Sequence, residues 1–263
     1  MATVKDVALF LDSIAPCSMK MDFDNVGLLA GDGNKQVHKV LLALDVTDEV
    51  IAEAVAYGAD LLVTHHPLMF SIKNASTDDM IGRKLVAILG AGMSAVCMHT
   101  NLDAAVGGVN DCLMNVLGIT AEGVIEPYGV NEDGIAYGMG RYGTVQEMPL
   151  VAFLQQCKNS LQCNGLRYVD AGKPVTRVAV CGGSGSSMLQ DIAALGCDTF
   201  VTADVKHNGF LDAKELGINL IDAGHYSTEN VVIPYLHQIL AERFPALELK
   251  VSRKHGQPEQ YFV

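Results

Sequence analysis

The sequence predicts an α/β protein made of two related α/β lobes. Three observations carry that prediction. Short apolar strands alternate with amphipathic helices along the chain, the pattern of α/β architecture. A stretch of the first half recurs in the second half without a gap. The length of 263 residues suits either one large α/β domain or two lobes of about 120–130 residues each.

The elements follow in order. Thr3 caps a first helix with Asp6 at the capping-box position, and Val4, Val7, Ala8, Leu11 and Ile14 share one face before Pro16 ends it. Val40 to Val46 reads as a buried strand. Thr47 then caps a helix whose first turn holds Asp48 and Glu49, where the helix dipole favours acids, and Gly58 stops it. A strand from about Asp60 to Thr64, a helix near Asp79 to Leu89, a strand from Ser94 to Met98 and a helix near Gly108 to Leu117 complete the first half. The glycine- and turn-rich stretch from Pro127 to Gly143 marks the expected boundary. It gives lobes at 1–126 and 127–263, with a C-terminal helix from about residue 228 able to pack on the first lobe.

The repeat is explicit. With Lys39 to His66 laid on Arg177 to Asp204, Val40, Ala56, Gly58, Asp60, Val63 and Thr64 meet Val178, Ala194, Gly196, Asp198, Val201 and Thr202. Periodicity alone makes any two βαβ units look alike, but these identities, with the shared D-x-x-V-T ending, favour duplication. After the next strand the halves again correspond, with His99-x-x-x-Asp103 in one and His225-x-x-x-Glu229 in the other. Two such lobes facing each other would form a cleft, a common place for a binding site.

Charge and composition exclude several classes. Eighteen Lys and Arg against 30 Asp and Glu leave a net charge of −12, which argues against a general nucleic-acid binder but not against a nucleotide as a small substrate. The longest nearly uncharged apolar run, Leu85 to Met98, is interrupted by two glycines and too short to cross a bilayer. The segment MATVKDVALF lacks a signal-peptide layout. Seven scattered cysteines without a C-x-x-C pair argue against a disulfide framework or thiolate zinc site, so a cytoplasmic location is expected.

Three groups of imidazoles and carboxylates fall at the carboxyl ends of predicted strands, where α/β sheets tend to bind ligands. They are His65-His66-Pro67, His99 with Asp103, and His225 with Glu229. Adjacent residues of a strand face opposite ways, so His65 and His66 share a site only if the chain turns there, and Pro67 favours that turn. Such a donor set suits Zn²⁺, Fe²⁺, Mn²⁺ or Ni²⁺, and its two carboxylates could bridge two ions about 3.5–4 Å apart. Ser227 or Thr228 looks like a helix cap that puts Glu229 in a first turn, where an acid also serves the dipole. His38, His207, His237 and His255 read as ordinary hydrogen-bonding histidines. The glycine-rich run Cys181 to Ser187 could cradle a phosphate. It lacks a Walker lysine and the dinucleotide spacing, which favours a plain tight connection. No G-x-S-x-G elbow supports a serine nucleophile.

Five segments together resemble the NIF-three-like family, whose members are often labelled GTP cyclohydrolase I type 2 homologues or dinuclear metal-centre proteins. They are FDNVGLLAG from Phe23, LALDVT from Leu42, LLVTHHPLMF from Leu61, MHTNLDAAVGGVND from Met98 and GHYSTE from Gly224. The resemblance spans nearly the whole chain. It implies two related lobes around a dinuclear metal site and a ring-shaped homohexamer. Carried over residue by residue, the ligands of two divalent ions per chain would be His65, His66, Asp103, His225 and Glu229, with Glu229 able to bridge. His99 would lie near the site and serve catalysis as a proton shuttle. This sequence has Phe23 where many relatives have tryptophan, and no room for the extra central domain of some longer relatives.

The implied function is a metal-dependent hydrolase acting on a nucleotide or related small molecule, with a guanine imidazole carbon or a phosphoester as the bond attacked. The alternative is a non-catalytic metal-binding regulatory or scaffold protein forming a ring. Because Ala203 and Asp204 replace the histidine pair in the second half, one asymmetric site is expected, in which Asp204 takes no part.

Overall fold

The structure is a computed structural model and describes residues 1–72 and 74–262. The first elements in chain order are α1 (Val4–Ile14), β1 (Gly27–Ala30), β2 (Lys39–Ala43), α2 (Asp48–Tyr57), β3 (Leu61–Thr64), α3 (Met80–Gly90), β4 (Ser94–Cys97) and α4 (Thr100–Ala104). There follow α5 (Val109–Val116), β5 (Thr120–Val130), β6 (Ala136–Met148), α6 (Leu150–Ser160), β7 (Arg167–Val169) and β8 (Val175–Ser184). The last are α7 (Leu189–Ala194), β9 (Thr199–Ala203), α8 (His207–Leu216), β10 (Asn219–Asp222), α9 (His225–Glu229), α10 (Val232–Arg243) and β11 (Glu248–Val251). The fold is therefore mixed α/β with two sheets, as the alternation predicts. The chain divides into two compact units, Met1–Ala105 with Ile233–Gly256, and Val106–Val232 with Gln257–Val263.

The first unit carries a five-stranded sheet in the order β1-β4-β3-β2-β11. Strands β2, β3, β4 and β11 run parallel, and β1 closes one edge antiparallel to β4. All four residues of β3 and all four of β4 are buried, the mark of parallel strands covered on both faces. On one face Val50, Ile51 and Ala54 of α2 and Leu85 and Ile88 of α3 pack with Leu41, Ala43, Leu62 and Ala95. Each fully buried Leu or Ile contributes about 1.5–3 kcal/mol. The capping box at Thr3 and Asp6 is formed, and Thr47 and Asp79 cap α2 and α3 through their side chains. Helix α10 buries Ile233, Leu236 and Leu240. Its end meets α1 through Phe244, edge-on to Phe10 with centroids 5.6 Å apart.

The second unit carries a six-stranded sheet in the order β5-β6-β8-β9-β10-β7. Its centre, β8-β9-β10, is parallel, and its outer strands are antiparallel. Phe153, Leu154 and Cys157 of α6 and Leu113 and Met114 of α5 pack against Val178, Val180, Val201 and Ile221. The stretch from Pro127 to Gly143 lies inside this unit as part of the β5–β6 ribbon. Its glycines permit close cross-strand approach: a Cβ on Gly138 would come within 2.1 Å of the Glu126 carbonyl. The reversal itself is Asn131 to Ile135, where the Asn131 side-chain oxygen accepts from the Asp133 and Ile135 N–H groups.

The repeated segments are built alike within their own units. Val40 pairs with Leu61 in one sheet, and Val178 with Thr199 in the other, the same register at the shifted positions. Asp60 accepts from the N–H groups of His38 and Lys39, and Asp198 from those of Thr176 and Arg177. No helix among the described residues is long and apolar enough to cross a membrane.

Candidate metal centre

Strand β3 delivers His65 and His66 to its carboxyl end. His65 is fully buried, and its Nδ1 lies 2.7 Å from the carbonyl oxygen of Met98. A carbonyl only accepts, so Nδ1 carries a proton. The His66 N–H donates to the Leu44 carbonyl and the Thr64 hydroxyl donates to the His66 carbonyl, which turns the chain out of the strand. This turn brings both rings to one side, with centroids 5.0 Å apart. The Nδ1 of His66 is held by Asp45 at 2.7 Å.

Strand β4 ends at the segment His99 to Asp103, and each residue there has a separate task. His99 Nδ1 is held by Asp24 at 2.8 Å, while its backbone N–H donates to the Asn101 side chain. Thr100 donates to Asp24 through both N–H and hydroxyl, Asn101 donates to the Ala15 carbonyl, and Leu102 is fully buried. Asp103, one turn along α4, places Oδ1 3.6 Å from His65 Nε2. The His99 ring lies 5.3 Å from His65 and 5.6 Å from His66 between centroids. One ring nitrogen from each of the three falls within 4.8 Å of the others. Burial and the neighbouring His65 pull the His99 pKa below the ordinary value against the opposing pull of Asp24, which keeps the ring neutral near pH 7. Asp24 is buried, yet hydrogen bonds from Thr100 and His99 hold its carboxyl below the usual range.

In the second unit α9 starts at His225 behind Gly224, so Ser227 and Thr228 stand inside the helix rather than capping it. The Thr228 hydroxyl bonds back to the carbonyls of Gly224 and His225, which explains why it does not cap. His225 and Glu229 are thereby one turn apart, with Nε2 to Oε2 at 2.9 Å. His225 Nδ1 is held by Asp204 at 2.7 Å. Burial lowers the His225 pKa, but Glu229 and Asp204 outweigh it and raise the pKa to about 9. The protonated ring therefore gives one N–H to each of two carboxylates.

The loop after Cys181 is shaped around these residues. Gly183 has φ +62°, and a Cβ there would lie 2.3 Å from Glu229 Oε1 and 3.2 Å from His225 Cε1. The N–H groups of Gly182, Gly183 and Gly185 donate to Asn110, Thr228 and Thr202, as a plain tight connection requires. Of the histidines read as ordinary, His255 accepts from the Leu44 N–H at 3.1 Å.

The donor set fits a divalent metal. Four imidazoles each set Nδ1 against an oxygen, the orienting contact that metal-binding histidines usually have. Sequence reasoning missed three of those acceptors, Asp24, Asp45 and Asp204, although Asp24 and Asp45 lie within the FDNVG and LALDVT segments.

The family model for Duf34/NIF3 (NGG1p interacting factor 3) matches residues 2–258. The chain belongs to the Duf34/NIF3 family. A Clostridium perfringens relative named GTP cyclohydrolase 1 type 2 homolog is 34% identical over 98% of this chain and 99% of its own. Among solved structures, a Bacillus cereus protein related to NIF3 is similar with a TM-score of 0.91 and 25% identity, covering 99% of each chain. Staphylococcus aureus protein SA1388 is similar at 0.89 and 31%, again over 99% of each chain. Membership supports the mixed α/β fold and a metal-binding role for this Duf34/NIF3 chain, whose polar clusters include a histidine triad able to hold an ion.

Proposed function

We propose that this Duf34/NIF3 protein holds two divalent ions per chain on His65, His66, Asp103, His225 and Glu229, and uses them to hydrolyse a nucleotide or related small molecule. One observation carries the reading: His65, His66 and His225 are each oriented through Nδ1 by an oxygen, the contact that metal-binding histidines usually have. Divalent ions held there would supply Lewis acidity and lower the pKa of water toward neutrality. Glu229, with two oxygens on one carboxylate, is suited to bridging. A Cβ at Gly183 would collide with its Oε1.

His99 acts as the proton carrier in this reading. Asp24 fixes its Nδ1–H, and its lowered pKa leaves Nε2 a neutral base near pH 7. A guanine nucleotide is the first substrate to test, because the Clostridium perfringens relative carries the name GTP cyclohydrolase 1 type 2 homolog. Attack at the imidazole carbon of guanine and attack at a phosphoester are distinguished by their products.

The experiment is metal-loaded protein incubated with a nucleotide panel, with products identified by mass spectrometry against a Glu229→Ala control. Turnover above the control supports the hydrolase. Metal binding with no turnover of any nucleotide overturns it and leaves the regulatory metal protein.

A further inference from the structure

We infer that Phe23 and Phe70 form a stacking subsite for the planar heteroaromatic ring of a small ligand beside His99. Phe23 is 64% exposed and Phe70 55% exposed, although phenylalanine is ordinarily buried. Their centroids lie 6.1 Å apart at an interplanar angle of 54°, and Phe70 lies 6.0 Å from the His99 ring.

Both rings are presented by backbone that is pinned from behind. Asp24, next to Phe23, is buried and receives hydrogen bonds from His99 Nδ1 and from both the N–H and the hydroxyl of Thr100. Asn25 donates its side-chain amide to the carbonyl of Met69, the residue before Phe70, at 2.9 Å. Lys20 donates to the Asp24 carbonyl at 2.7 Å. The same Asp24 thus orients an imidazole inward and fixes the phenylalanine beside it. Two exposed rings on backbone tied in this way lose less entropy on stacking a flat partner than rings on a free loop.

The occupant follows from the neighbours. An aromatic pair continuous with a cluster of imidazoles suits a ligand with a flat ring at one end and metal-binding or anionic groups at the other, as a purine nucleotide has. A second copy of this chain would need no such polar neighbour.

The inference rests on the metal reading only for what anchors the far end of the ligand, and the test separates the two. GMP and ribose 5-phosphate, which lacks the base, are titrated by calorimetry into metal-loaded and chelator-treated full-length protein. Wild type should prefer GMP in both forms. Phe23→Ala with Phe70→Ala should weaken GMP about tenfold or more and leave ribose 5-phosphate and metal content unchanged. Phe23→Trp should keep the preference. Equal binding of GMP by wild type and the double variant, equal losses for both ligands, or no GMP binding by wild type would each overturn the inference. So would a changed oligomer mass in the double variant, which would make the pair a contact between copies. Metal analysis of Glu229→Ala decides the metal reading independently, since GMP preference in chelated protein survives its failure.

Discussion

Asp204 holds Nδ1 of His225 at 2.7 Å from a left-handed backbone conformation of φ 54°. Non-glycine residues adopt that region uncommonly, aspartate more readily than most. Asp204 occupies the place of His66 in the internal alignment, so the sequence alone suggested a position that had lost its role. The structure gives it a positioning role instead. Asp204→Asn is therefore expected to weaken metal binding about 10–100-fold, measured by competition with a chromophoric chelator. Unchanged affinity would return Asp204 to the bystander role.

The five proposed ligands should be separable by metal analysis of gently purified protein. Wild type should carry up to two divalent ions per chain, and Glu229→Ala and His65→Ala should each lose most of them. Because metal binds the folded state, wild type should also melt higher without chelator than with it, and that difference should shrink in both variants. Full metal retention in Glu229→Ala would remove Glu229 from the ligand set.

Metal loading should depend on pH in a defined direction. With its pKa raised to about 9, His225 is protonated at neutral pH without metal, so a bound ion must displace that proton. Apparent affinity should rise with pH and level off near 9. Glu229→Gln removes the strongest support for the proton and should flatten the profile. A flat wild-type profile between pH 6 and 9 would contradict the prediction.

Gly183→Ala tests the shape of the loop. The new Cβ would sit 2.3 Å from Glu229 Oε1 at φ +62°. The backbone alone should cost about 1–2 kcal/mol. Displacement of Glu229 should lower metal content as well. A variant that melts lower but binds metal normally would show that the glycine serves the backbone only.

Acid stability should report on the tie between α2 and the C-terminal strand of the first unit. Glu53 accepts from Ser252 Oγ at 2.6 Å and from the Arg253 N–H at 3.0 Å, and pairs with Lys250 at 2.8 Å. Burial raises its pKa, but these partners outweigh burial and bring it down from 4.5 to about 2. The folded pKa is depressed, so the stabilisation is present above 4.5 and is lost as pH falls through 2. Glu53→Gln should cost about 1–2 kcal/mol at pH 7, after allowance for solvent screening of the half-exposed Lys250. The difference in melting temperature should close toward pH 2.

Assembly is a separate expectation of the family resemblance. Light scattering at micromolar concentration should give a hexamer, near six times 28.0 kDa. A monomer would sink the ring.

The sequence by itself determined the strands that lead to the site and the residues that end them. The caps at Thr3 and Thr47 and the strands near Asp60–Thr64 and Ser94–Met98 are local matters of hydrogen bonding and apolar runs, and they stand where the pattern puts them. His65, His66, His99 and His225 were legible because polar side chains directly after buried strands are conspicuous. The β5–β6 ribbon was not, since glycine marks both turns and close strand contacts, and only the pairing of Glu126 with Met139 tells which. The orienting acids were hidden for a related reason. Asp45 lies 21 residues from His66, Asp24 lies 75 from His99, and Asp204 lies 21 from His225. An acidic side chain looks the same in sequence whether it faces solvent or an imidazole. Only the folding of these strands and loops onto one another decides which carboxylates meet a ring nitrogen, and so which way each histidine turns.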